Sequence, residues 1–151
     1  DILKALELYE SRFSRYVKKP GEDLNSILTG IAQPKGRVHF TFCPQITELD
    51  LTCYDQSTSN EYHRLVAALL DKRINAAYQL RPNNYIAHDL RYAQQHYSDR
   101  YTEQEYQKFV NHMQKLQEFD IAEPDVLRDI FLGIYSNPVE THEAALTIQR
   151  R

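Results

Sequence analysis

Apolar residues recur at helical spacing over most of the chain. Ile2, Leu6, Tyr9, Phe13 and Val17 mark a first amphipathic helix, which Pro20-Gly21 should stop. Glu22 and Asp23 then suit the first turn of a short helix through Leu24, Ile27 and Leu28, with Gly30 placed to end it. Gln33-Pro34-Lys35-Gly36 reads as a turn. From Thr58 the helical period returns. Thr58 to Glu61 fits a capping box ahead of Tyr62, Leu65, Val66, Leu69, Ile74 and Tyr78, and Pro82 interrupts the run. A further helix carries Ile86, Leu90, Ala93 and Tyr97. A second capping box, Thr102 to Glu105, opens one through Tyr106, Phe109, Val110, Met113 and Leu116. Pro124 suits the first turn of a helix burying Val126, Leu127, Ile130, Phe131 and Ile134, and Asn137-Pro138 should separate it from a weakly patterned tail ending in Arg150-Arg151.

One stretch has a different period. Val38, Phe40 and Phe42 alternate with Arg37, His39 and Thr41, the two-residue repeat of a strand with one buried face, and Pro44 ends it. A single strand cannot satisfy its own backbone hydrogen bonds. The expected fold is therefore mainly α, a bundle of about five to six helices with one isolated strand at 37–43 whose sheet lies elsewhere. Such a strand is exposed, rearranged or paired with a second copy of the chain.

Composition narrows the class. The chain has 151 residues, enough to bury a core without metal or disulfide, and it begins at Asp1 rather than methionine, which points to a fragment. No run approaches the roughly 20 apolar residues that span a bilayer. Cys43 and Cys53 lack metal-ligand or CxxC spacing and read as reduced thiols. The net charge of -3 is uneven: residues 1–40 carry seven Lys/Arg against five Asp/Glu, and residues 41–151 carry eleven against sixteen. That balance argues against nucleic-acid binding and puts any basic surface near the start of the chain.

Candidate chemistry is sparse. His39, His63, His88, His96, His112 and His142 show no metal-ligand spacing, and His88 and Asp89 point about 100° apart on a helix, too divergent to act as a catalytic pair. Neither a GxSxG elbow nor a glycine-rich phosphate loop occurs among the four glycines. Tyr9, Tyr62, Tyr78, Tyr97 and Tyr106 lie on or beside apolar stripes and read as core. Asp71-Lys72-Arg73 reads as a source of local ion pairs. Arg12, Arg15 and Lys19 share a helical face, with Lys18, Lys35 and Arg37 close in sequence. Arg12, Arg15, Lys19 and Arg37 are the candidate surface for lipid headgroups or phosphate, against the simpler reading of a solvated helix face.

The blocks from Pro20 to Ile31 and from Pro34 to Phe40, with Asp71-Lys72-Arg73-Ile74 and Asn84-Tyr85-Ile86-Ala87-His88-Asp89-Leu90, resemble a large bacterial form of the 1-acyl-glycerol-3-phosphate acyltransferase family. The strand ending at Pro44-Gln45-Ile46 is also similar to the wider superfamily. The resemblance implies an HxxxxD motif, whose histidine is the general base and whose aspartate orients it, and a Pro-Glu-Gly type motif that grips the acceptor phosphate. Neither occurs here, since the residues five places after the six histidines are Pro44, Ala68, Ala93, Tyr101, Gln117 and Thr147. Deprotonating an acceptor hydroxyl needs a positioned base, so the catalytic half would precede Asp1.

On this reading residues 1–46 end the catalytic domain, 58–136 form a helical appendage and 137–151 a tail. The chain itself would have no catalytic residue, cofactor site or metal site. The parent would take a fatty acyl group from acyl-coenzyme A or acyl-carrier protein and place it on lysophosphatidate or a related lipid. The parent would be cytoplasmic and peripheral at the inner membrane. Expected partners are the missing amino-terminal catalytic half, an anionic membrane surface and, through the unpaired strand, a second copy. A different class remains open, a stand-alone helical interaction module without an enzymatic parent. That alternative expects the strand to pair internally or be absent, whereas the fragment reading expects an unpaired segment at 37–42 and an apolar patch.

Overall fold

A computed structural model describes residues 1–33, 36–55 and 57–149. Its α-helices are α1 (Ile2–Phe13), α2 (Glu22–Ala32), α3 (Glu48–Thr52), α4 (Ser59–Ala76), α5 (Pro82–Tyr92), α6 (Glu103–Gln114) and α7 (Pro124–Gln149), with 3-10 turns at Ser98–Arg100 and Lys115–Glu118. The mainly helical class holds. The isolated strand at 37–43 does not form: residues 38–46 belong to no helix or strand. The alternation of Val38, Phe40 and Phe42 specifies which side chains share a face, but strand pairing needs a neighbour, and none occurs among the described residues. Backbone groups here find other partners. Arg73 of α4 donates from Nη1 to the carbonyls of Pro44 at 3.2 Å and Gln45 at 2.6 Å, and Cys43 Sγ lies 3.7 Å from the Arg73 carbonyl.

The chain divides into two compact units. The first comprises residues 1–38 and 81–137, so it joins α1, α2, α5, α6 and the leading part of α7. Its core is Ala5 and Tyr9 of α1, Ile86 and Ala87 of α5, Phe109 of α6, Leu116, and Leu127, Ile130, Phe131 and Leu132 of α7. Phe109, Phe131 and Tyr135 pack ring against ring with centroids 5.2 to 5.8 Å apart. Burying an apolar side chain of this size contributes about 1.5–3 kcal/mol, which is how helices too short to persist in water are held. The loop 93–101 is fastened from inside: the Asp89 carboxylate, 3% exposed, accepts the Tyr97 N–H at 3.1 Å and the Tyr101 hydroxyl at 2.9 Å.

The second unit comprises residues 39–80 and 138–151. Arg73 is its tie point, adding to its carbonyl contacts an ion pair with Asp50 of α3 at 2.6 Å. The Asp71-Lys72-Arg73 segment therefore does form an ion pair, but with a residue 23 positions away. Near the carboxyl end, the His142 ring nitrogen Nδ1 lies 2.8 Å from the Asn75 carbonyl.

Several element ends differ from expectation. α1 stops at Phe13, four residues before the apolar pattern does, leaving Val17 exposed. Gly30 lies inside α2, which runs on to Ala32, while Gly21 supplies the left-handed backbone (φ 81°) at its start. The expected turn at Pro34-Lys35 falls outside the described residues, as does the end of the tail, Arg150-Arg151. Asn137-Pro138 does not end α7. An interior proline costs about 3 kcal/mol, but Ser136 and Val139 are wholly buried on either side of it, and Asn84 and Arg91 of α5 bond to Tyr135, Ser136 and Asn137. Burial and these bonds outweigh the missing N–H.

Candidate functional site

α2 stands inside out. Its apolar ridge, Leu24, Ile27, Leu28 and Ile31, follows the i, i+3, i+4, i+7 spacing of a face meant for burial, yet these residues are 56% to 72% exposed and α2 has no buried residue. The positions of α2 that are partly covered are Glu22, Thr29 and Gly30. Those residues, with Asn25, Ser26 and Gln33, line a groove of about 510 Å³ whose other wall is α1. The chain thus meets α2 on its polar side.

The connection from α1 folds back over the start of α2. Tyr16 donates its hydroxyl to the Glu22 carboxylate, Lys18 pairs with Asp23 at 2.5 Å, and the Lys19 N–H donates to Glu22 at 2.9 Å. The Glu22 bond holds the Tyr16 phenol up at about 12, and the same bond, joined by the Lys19 N–H, pulls the Glu22 carboxyl below its usual range. Bonding to Asp23 raises Lys18.

Of the four surface cations, Arg12 lies in the last turn of α1, and Arg15 and Lys19 in the connection just after it. All three side chains are exposed and make no ion pair among the described residues. Phe13 and Val17, 58% and 74% exposed, stand between them in sequence. Arg37 is placed differently. The Glu105 carboxyl is depressed first by the Thr102 N–H and hydroxyl, and Arg37 adds to that depression, so Arg37 stands near the start of α6.

The polar groups best placed for chemistry serve the fold. Asp1 accepts from the α1 backbone at one carboxylate oxygen; the other oxygen is 2.6 Å from His112 Nε2 and takes the Tyr135 hydroxyl at 2.5 Å. Burial first, and then Lys115, push His112 below the usual imidazole range. The fold thus favours the neutral ring, which can still donate from Nε2 to the Asp1 carboxylate. His88 and Asp89 come no closer than 3.9 Å. His88 is packed rather than solvated, with ring centroids 4.7 Å from Tyr92 and 5.0 Å from Tyr97. Both cysteines are free thiols. Among the described residues no group of three or more His, Cys, Asp or Glu could hold a metal ion, and no helix is long and apolar enough to cross a membrane.

Sequence reasoning found the ridge of α2 as an apolar pattern but missed that it faces outward. The signal was available only indirectly, in a helix too short and too polar on its other side to be buried all round. In comparisons with protein families, curated proteins and solved structures, nothing matches this chain.

Proposed function

We propose that the chain is the carboxyl-terminal, non-catalytic part of a lipid acyltransferase, a scaffold that completes a catalytic half lying before Asp1. The observation that carries this reading is the uncovered alternating run, with Val38 62%, Phe40 86% and Phe42 100% exposed. Period-two alternation is costly to maintain in an open loop, where exposed phenylalanines invite aggregation, and is useful where a sheet edge receives the segment. The partner sheet on this reading is that of the catalytic half. The sequence blocks that resemble the bacterial acyltransferases lie on both sides of the run.

The parent reaction would move a fatty acyl group from acyl-coenzyme A or acyl-carrier protein to lysophosphatidate or a related lipid. The test is acyl transfer to lysophosphatidate from both donors, by the longer polypeptide and by this chain side by side. Transfer by the longer polypeptide alone is the expected result. Transfer by this chain, or by neither, would overturn the reading.

A further inference from the structure

We propose that the outward ridge of α2, with Phe13 and Val17, docks on an anionic lipid bilayer, held there by Arg12, Arg15 and Lys19. The acyltransferase reading gives it a reason to be at a membrane; its structural basis is separate.

Three observations converge. First, α2 turns its polar residues to its own chain and its ridge to solvent, so nothing among the described residues competes for that ridge. Second, the ridge is four residues long on an 11-residue helix, which suits shallow burial at the headgroup boundary and is far too short to span. Third, the charge around it is of the right sign. Residues 11–40 carry six Lys/Arg against two Asp/Glu, whereas the rest of the chain carries twelve against nineteen. The exposed apolar helix face thus lies in the cationic stretch of an otherwise acidic chain. Of those cations, Lys18 is neutralised by Asp23, Arg37 stands near Glu105 and Lys35 lies outside the described residues, which leaves Arg12, Arg15 and Lys19 exposed for headgroups. A cationic flank on an apolar face is the combination that holds a peripheral helix on anionic lipid, because neither a short ridge nor a few charges suffices alone.

The charge pattern also favours lipid over a protein groove. α2 itself carries no Lys or Arg; the cations precede it at the end of α1 and on the connection, and Arg12 and Arg15 make no ion pair among the described residues. A protein partner would be expected to fix such side chains with matched carboxylates; a fluid sheet of phosphates requires only proximity.

The experiment is co-sedimentation of the whole chain with vesicles of phosphatidylcholine alone and of phosphatidylcholine with 30% phosphatidylglycerol (about a third anionic lipid, typical of a charged leaflet). Binding to the anionic vesicles only, weakened by raised salt, is the expected result. The combined R12Q/R15Q/K19Q variant should bind roughly 100-fold more weakly, at about tenfold or less per cation. The combined L24S/I27S/L28S/I31S variant should lose at least about tenfold by shrinking the apolar area available to the bilayer. Both sets lie at exposed positions, and circular dichroism verifies that each variant keeps its helices. No binding, equal binding to both vesicle types, or binding unchanged in the ridge variant would overturn the proposal. So would a ridge variant that loses self-association instead of vesicle binding, which would assign the face to a protein partner. Vesicle binding is read without acyl transfer, so either proposal can fail while the other stands.

Discussion

Arg91 of α5 grips Asp129 of α7 through a two-point contact, Nε to Oδ1 at 2.9 Å and Nη2 to Oδ2 at 3.3 Å. The remaining nitrogen, Nη1, reaches the Ser136 hydroxyl at 3.1 Å and the Asn137 side-chain oxygen at 2.7 Å. The guanidinium lies so close to α7 because residue 133 has no side chain: a Cβ there would come within 3.2 Å of Nη1 and 3.4 Å of Cζ. A planar, five-donor group can serve three partners at once in a way that a lysine ammonium cannot.

Gly133→Ala should therefore not deliver the roughly 1 kcal/mol that alanine normally adds inside a helix. Arg91 is held on three sides and cannot yield, so G133A is expected to lower the melting temperature. In an R91A background the same change should raise it. R91A alone should cost about 2 kcal/mol and R91K nearly as much, since charged hydrogen bonds of this kind contribute about 1.5–3 kcal/mol. A double-mutant cycle followed by thermal denaturation measures the coupling, and additive effects would show that the close approach is unimportant.

The two sequence-predicted capping boxes should respond differently. Thr102 accepts the Glu105 N–H at 3.3 Å while Glu105 accepts the Thr102 N–H at 2.9 Å, a complete reciprocal pair. Thr58 is the N-cap residue just before α4, but its side chain makes no capping hydrogen bond. T102A should cost about 1 kcal/mol in urea denaturation and T58A at most a few tenths. Equal losses would mean that the threonines act through backbone propensity rather than through the cap.

Acid should act in two stages. His112 has a folded-state pKa below its unfolded value of 6.5, so the fold favours the neutral ring; its contribution is present above pH 6.5 and is lost as pH falls below it. Asp50 is lowered from 3.8 to about 2 by the Thr47 N–H and hydroxyl and then by Arg73, so its contribution is present above pH 4 and lost on the way down to pH 2. Melting temperatures across pH 2–8 should show both steps. H112Q should flatten the upper one and D50N the lower; the reverse assignment would contradict the placement of these groups.

The legible part of the candidate surface was local. Arg12, Arg15 and Lys19 follow from residue type and spacing, and the structure leaves them exposed. Arg37 could not be separated from them in sequence, because its neighbour Glu105 is 68 positions away and is brought near by folding. The surroundings of His88 were not legible for the same reason. Its spacing shows only that it diverges from Asp89; Tyr97 packs on it because the buried Asp89 pins the loop that follows.

What the sequence determined by itself was helicity, through the 3.6-residue spacing of apolar side chains and through a cap such as Thr102 to Glu105, all properties of neighbours within one or two turns. It also determined that residues 38–42 alternate. Tertiary structure alone decided where those patterns were used. α7 continues through Pro138 because burial of Ser136 and Val139 outweighs a local penalty. The 38–42 alternation yields no strand because strand pairing is a two-body property and no second strand is present among the described residues. α2 shows its apolar ridge to solvent because amphipathicity specifies that two faces differ, whereas which face meets the rest of the chain depends on what that chain offers to cover it.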